Sequence, residues 1–158
     1  MFMKNGICVW FLRLVFLATL LVVAKPALAV LGGSVDSVNS DRKALVASRG
    51  SVTVHDGYQV QEIGSDAVTI REYISPSGVV FAIAWNGIAV PDLTTLLGSY
   101  ANDYETALRQ TPRKPGRRLR QIKTDQVVVE KWGHMRNLQG RAYTLALIPQ
   151  GVSIDEIK

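Results

Sequence analysis

The stretch from Val79 to Trp85, VVFAIAW, is the most apolar run of the chain beyond its N-terminal segment. Its reading sets the fold. Strand alternation assigns Val79, Phe81, Ile83 and Trp85 to one face and Val80, Ala82 and Ala84 to the other. A strand apolar on both faces belongs in the middle of a sheet, with material packed on each side. The bulky face predicts a thick core and the small face a closely packed element.

Three shorter strands lead up to it. SVTVH (51–55) puts Val52 and Val54 on one face, and Asp56-Gly57 suits the positive φ values of a type I′ turn. YQVQEI (58–63) alternates in turn. Gly64-Ser65-Asp66 punctuates before AVTIREYI (67–74), and Pro76-Ser77-Gly78 turns the chain into the central strand. Asn86-Gly87 closes the central strand.

After Pro91, Asp92 is placed as an N-cap. Leu93, Leu96, Leu97, Tyr100, Tyr104, Ala107 and Leu108 then recur on one face of a helix of about five turns. Gly98 sits inside that pattern at a cost of ~1 kcal/mol. Asn102 with Glu105 offers a second capping pair at which the helix could restart. Thr111-Pro112 ends it. PRKPGRRLRQIK (112–123) reads as a loop. DQVVVEKW (125–132) and RAYTLALI (141–148) read as two further strands, with Asn137 to Gly140 as their connection. GVSIDEIK adds a final turn. The expected class is α+β: an antiparallel sheet of about six strands, a meander plus a C-terminal hairpin, with one amphipathic helix on one face.

The N-terminus has the three parts of a secretory signal peptide: Lys4 and Arg13, then the apolar run LVFLATLLVVA, then Ala27-Leu28-Ala29 at the cleavage positions. The run is shorter than the ~20 residues that span a bilayer. The alternative is an uncleaved anchor from Ile7 that buries Arg13, which makes the protein a membrane-anchored structural one. Cleavage near Ala29 implies an exported protein, periplasmic or secreted. The organisation is then a signal at 1–29, a flexible leader at 30–50 and a single domain at 51–158. RKALVASRG (42–50) either holds a short helix or continues the leader.

Of the 18 basic residues three lie in the signal, so 15 remain against 13 acids and the net charge falls from +5 to +2. Net charge therefore gives no ground for polyanion binding. The single cysteine, Cys8, lies in the signal, so the exported part is cysteine-free and must rely on its core. Thiol chemistry and cysteine metal sites are excluded there.

The segments REYISPSGVVFAIAWNGIAVPDLTTLLGSY and GHMRNLQGRAYTLALIPQGVSIDEI resemble an uncharacterised family of exported proteobacterial proteins, domain of unknown function 2844. The resemblance runs from about Val52 to the end. It implies export and a single domain, and it carries no activity, ligand or functional residue.

The chemistry-bearing residues are few. GHMRNLQGRAY (133–143) gathers His134, Arg136 and Arg141 beside Trp132 and Tyr143, a candidate pocket for a small anionic ligand or sugar. His134 could serve a small hydrolase as general base if a carboxylate from another strand reached it. Glu130 shares its strand face but lies ~13 Å along the strand. The chain has no G-x-S-x-G elbow and no H-E-x-x-H spacing, and no metal or other cofactor is expected. A second candidate is the basic loop, whose Arg113, Lys114, Arg117, Arg118 and Arg120 suit anionic headgroups or acidic glycans. It has no aromatic residues for stacking, which argues against nucleic acid. The expected function is that of an exported envelope accessory or binding module, in contact with an envelope protein or an anionic surface. Membrane contact would be peripheral.

Overall fold

The protein is described by a computed structural model, in which residues 30–34, 50–112 and 119–158 are placed. The signal peptide and the segment 42–49 fall outside these residues, as do Arg113, Lys114, Arg117 and Arg118. The described elements are β1 (Gly50–His55), β2 (Tyr58–Gly64), β3 (Val68–Ile74), β4 (Val80–Gly87), α1 (Leu93–Leu97), α2 (Ala101–Gln110), β5 (Arg120–Lys123), β6 (Val128–His134) and β7 (Asn137–Tyr143). The seven strands form one antiparallel sheet in the order β1-β2-β3-β4-β7-β6-β5.

The architecture is α+β with VVFAIAW at the centre, as the alternation predicts, and with one strand more than about six. The extra strand is β5, inside the stretch read as a loop. Its charges hid the alternation that buries Ile122. Two turns also differ from expectation. At Asp56-Gly57 only Gly57 has a positive φ, 83°, so the turn is not type I′. The last hairpin turns at Met135-Arg136, and Asn137 to Gly140 belongs to β7. Arg136 has a φ of 65°.

One irregularity reassigns a large side chain. The β3–β4 register shifts between Tyr73 and Ile74: Tyr73 faces Ala82 and Ile74 faces Val80, which leaves Phe81 as the extra residue of a β-bulge. The bulge swaps the expected faces of Val80 and Phe81. Val80, Ile83 and Trp85 join the helix-side core with Leu96, Leu97, Ala101 and Tyr104. Phe81 joins Ala82, Ala84, Tyr58, Tyr73 and Tyr143 on the far face.

Asp92 caps α1, its carboxylate accepting from the Thr94 N–H at 3.0 Å. The helix breaks at Gly98, one turn earlier than the Asn102–Glu105 pair suggests. Gly98 has a φ of 52°, and a Cβ there would run into Val30. A one-turn 3₁₀ segment, Gly98–Tyr100, then leads into α2. The chain before β1 explains this break. Residues 30–34, expected in a flexible leader, pack into the core. Leu31 is buried and donates its N–H to Leu96 O, and Gly32 N–H donates to Val80 O.

The far face is closed by residues 145–158. Ile157 is fully buried against it, with Leu147, Ile148, Val152 and Ile154 around. Ser153 and Glu156 make a reciprocal capping box on the last 3₁₀ turn. The small side chains of Ala82 and Ala84 leave room for this segment, the closely packed element that the small face predicts.

Candidate functional site

The far face carries one cross-strand row that organises the molecule: Ser51, Glu62, Arg71, Ala84, Arg141, Glu130 and Gln121, one from each strand. Its core reads Glu-Arg-Ala-Arg-Glu. Arg71 Nε donates to Glu62 at 2.7 Å and its Nη1 to the Lys158 carbonyl at 3.1 Å. Arg141 Nε donates to Glu130 at 2.6 Å, and its Nη1 to the carbonyls of Ile154 and Ile157 at 2.7 and 3.1 Å. The C-terminal segment lies over Ala84 between these two arginines.

This segment covers the middle of the face and stops short of β1. A groove of about 300 Å³ is left open there. Ser51, Thr53 and His55 of β1 form its outer floor; Glu62, Arg71 and Tyr73 form the inner part; Glu156 and Lys158 form a wall. Period-two alternation places these side chains together, because residues paired across antiparallel strands point to the same face.

The groove is ordered by hydrogen bonds and ring contacts. Tyr58 donates its hydroxyl to Glu156 at 2.9 Å. His55 is exposed and lies flat on Tyr58, with centroids 4.8 Å apart and planes 9° apart. Burial, and then the Glu156 carboxylate, push the Tyr58 hydroxyl up to about 12. The Ser153 N–H and the Tyr58 hydroxyl hold Glu156 below the usual carboxylate range. Tyr58 therefore stays protonated and Glu156 ionised, so the pair is a fixed donor–acceptor couple and not a proton shuttle. Glu62 and Glu156 balance Arg71 and Lys158 in formal charge. The groove offers hydroxyls, carboxylate acceptors, guanidinium donors and an open imidazole face.

The residues singled out from the sequence lie elsewhere. Trp132, Arg141 and Tyr143 do come together: the Arg141 guanidinium sits 5.8 Å from each ring centroid. Its hydrogen bonds are spent on Glu130 and on the chain's own carbonyls, and Trp132 Nε1 donates to Gln139. His134 and Arg136 stand apart on the exposed end of the hairpin. The His134 ring lies 3.3 Å from the Met135 carbonyl, through Nδ1. Of the five basic residues singled out in the loop only Arg120 is described. It donates at 3.4 and 3.5 Å to the Thr111 and Leu108 carbonyls at the end of α2.

The groove was missed because its residues are scattered over 100 positions and none forms a motif. The signal was the alternation of Ser51, Thr53 and His55, read only through the valines between them.

A family model described as "Protein of unknown function (DUF2844)" matches residues 27–157. No curated protein and no solved structure matches the chain.

Proposed function

We propose that this chain, which belongs to the DUF2844 family of proteins of unknown function, is a non-catalytic binding module that takes a neutral, hydroxyl-rich ligand in the β1–β3 groove. The observation that carries this reading is the open groove itself, whose side chains include two acidic and two basic groups, Glu62 and Arg71 paired directly. A balanced site exerts little net pull on ions, while its carboxylates, guanidinium and hydroxyls can exchange hydrogen bonds with sugar hydroxyls. The ring face of His55 suits the apolar face of a saccharide. The signal-like N-terminus supports action outside the cytoplasm, where envelope glycans are available. N-terminal sequencing tests that part, with cleavage near Ala29 as the expected result.

The ligand is tested by titrating the isotopically labelled protein with a neutral oligosaccharide such as chitotetraose, and separately with vesicles of anionic phospholipid. The expected result is amide shifts at Ser51, Thr53, His55, Glu62 and Arg71 with the sugar. No shift up to about 10 mM, well above the ~1 mM of a weak complex, rejects the groove as a saccharide site. Shifts confined to residues 113–120 with the vesicles would move the function to the basic loop.

A further inference from the structure

Among the described residues β1 is an edge strand with the composition of a central one. Its six residues are all exposed, with Val52 at 46% and Val54 at 72%. Every other strand except the central β4 carries at least one Lys, Arg or Glu; β1 carries none, and no proline. The opposite edge, β5, has Arg120 and Lys123. Sheet edges left bare of charge, proline or bulge template the addition of another strand.

We propose that a second copy of this chain pairs antiparallel with β1 about a two-fold axis at Thr53, joining the two grooves into one trough. The inference rests on the groove being the ligand site, and it completes that site. A two-fold axis normal to the sheet keeps each face on its own side, so even-numbered residues oppose even-numbered ones. With Thr53 on the axis, Val52 of each copy meets Val54 of the other, and Ser51 meets His55. All four exposed valines are then covered in two cross-strand pairs of β-branched side chains. The alternative register, with Val52 on the axis, leaves Val54 facing Gly50. On the trough side the second copy's His55 arrives beside Ser51. It stands two strand spacings, about 10 Å, from Glu62. The added imidazole opposes no like charge, since Glu62, the nearest carboxylate along that row, is paired with Arg71. Each groove gains an aromatic wall from its neighbour.

Valines 52 and 54 point away from the groove, so they separate pairing from ligand binding. The protein as processed by the cell is followed by sedimentation from about 1 to about 300 µM, the range of weak to moderate association. The wild type is expected to pass from monomer to dimer. The double variants Val52→Lys with Val54→Lys and Val52→Glu with Val54→Glu are each expected to stay monomeric. Their equimolar mixture is expected to regain the dimer, since unlike charges then oppose. Far-UV circular dichroism checks that the variants fold. A wild type that stays monomeric throughout, or a dimer that the lysine variant leaves intact, overturns the proposal. If that monomer still shifts with chitotetraose, the trough falls and the groove reading stands; a dimer that never binds the sugar does the reverse. Amides of β1 protected from exchange only by envelope extract, in a monomeric protein, would give the edge to another protein and also overturn it.

Discussion

Arg71 and Arg141 stand on either side of Ala84 in one cross-strand row, and both donate to backbone carbonyls within residues 154–158. The two are unequal. The Arg141–Glu130 pair has side chains 18% and 10% exposed, against 32% and 40% for Arg71–Glu62. Removing one partner of a buried pair leaves a stranded charge and costs ~3–5 kcal/mol, whereas exposed pairs are worth ~0–1 kcal/mol. Arg141→Met should destabilise by about 3 kcal/mol and Arg71→Met by about 1 kcal/mol, in urea unfolding. Equal losses would show that the segment is not anchored mainly at Arg141.

Glu72 makes stability depend on pH. It lies fully buried on the helix side between Gln61 and Ile83, and neither carboxylate oxygen has a partner among the described residues. Burial pushes it up to about 8 from 4.5. The folded state therefore keeps this proton over a range in which the unfolded chain has lost it. The contribution is fully present below pH 4.5 and is lost as pH rises toward 8, at ~1.4 kcal/mol per unit of separation. Urea unfolding at pH 5 and pH 8 should show the wild type weaker at pH 8. Glu72→Gln should be flatter and the more stable of the two at pH 8; parallel profiles would refute this.

Arg136 holds a left-handed conformation at φ 65°, which costs an L-residue roughly 1 kcal/mol. Arg136→Gly relieves that strain and should raise stability by about 0.5–1 kcal/mol, read as a higher midpoint in thermal unfolding. A lower midpoint would mean that the guanidinium makes a stabilising contact.

His55 is exposed and touches the fold chiefly through Tyr58. Its replacement should separate binding from folding. His55→Ala should abolish chitotetraose shifts at Ser51 and Thr53 while changing unfolding free energy by no more than about 0.5 kcal/mol. Retained shifts would remove His55 from the site.

The central strand, the meander and the capped helix were legible because alternation and N-cap chemistry are local properties of Val79 to Trp85 and Asp92. The bulge at Phe81 was not, because it is a mismatch between two strands and leaves no mark in either. β5 was hidden by charge. Leu31 was lost in a glycine- and serine-rich stretch whose packing depends on contact with Leu96 and Val80. The GHMR turn drew attention through rare residues in a row, yet Arg141 is occupied in holding the chain's own end. The groove emerges only when β1, β3 and the C-terminal segment are brought together.

The sheet order also has a meaning in time. β4 has its first neighbour, β3, immediately before it, but its second, β7, pairs Tyr143 with Ala82 across the whole helical excursion. Closing so long a loop is entropically costly and slow relative to the local hairpins. During folding, then, the most apolar strand has one flank bare until Asn137–Tyr143 pairs with it, and a chain caught before that step presents an adhesive edge.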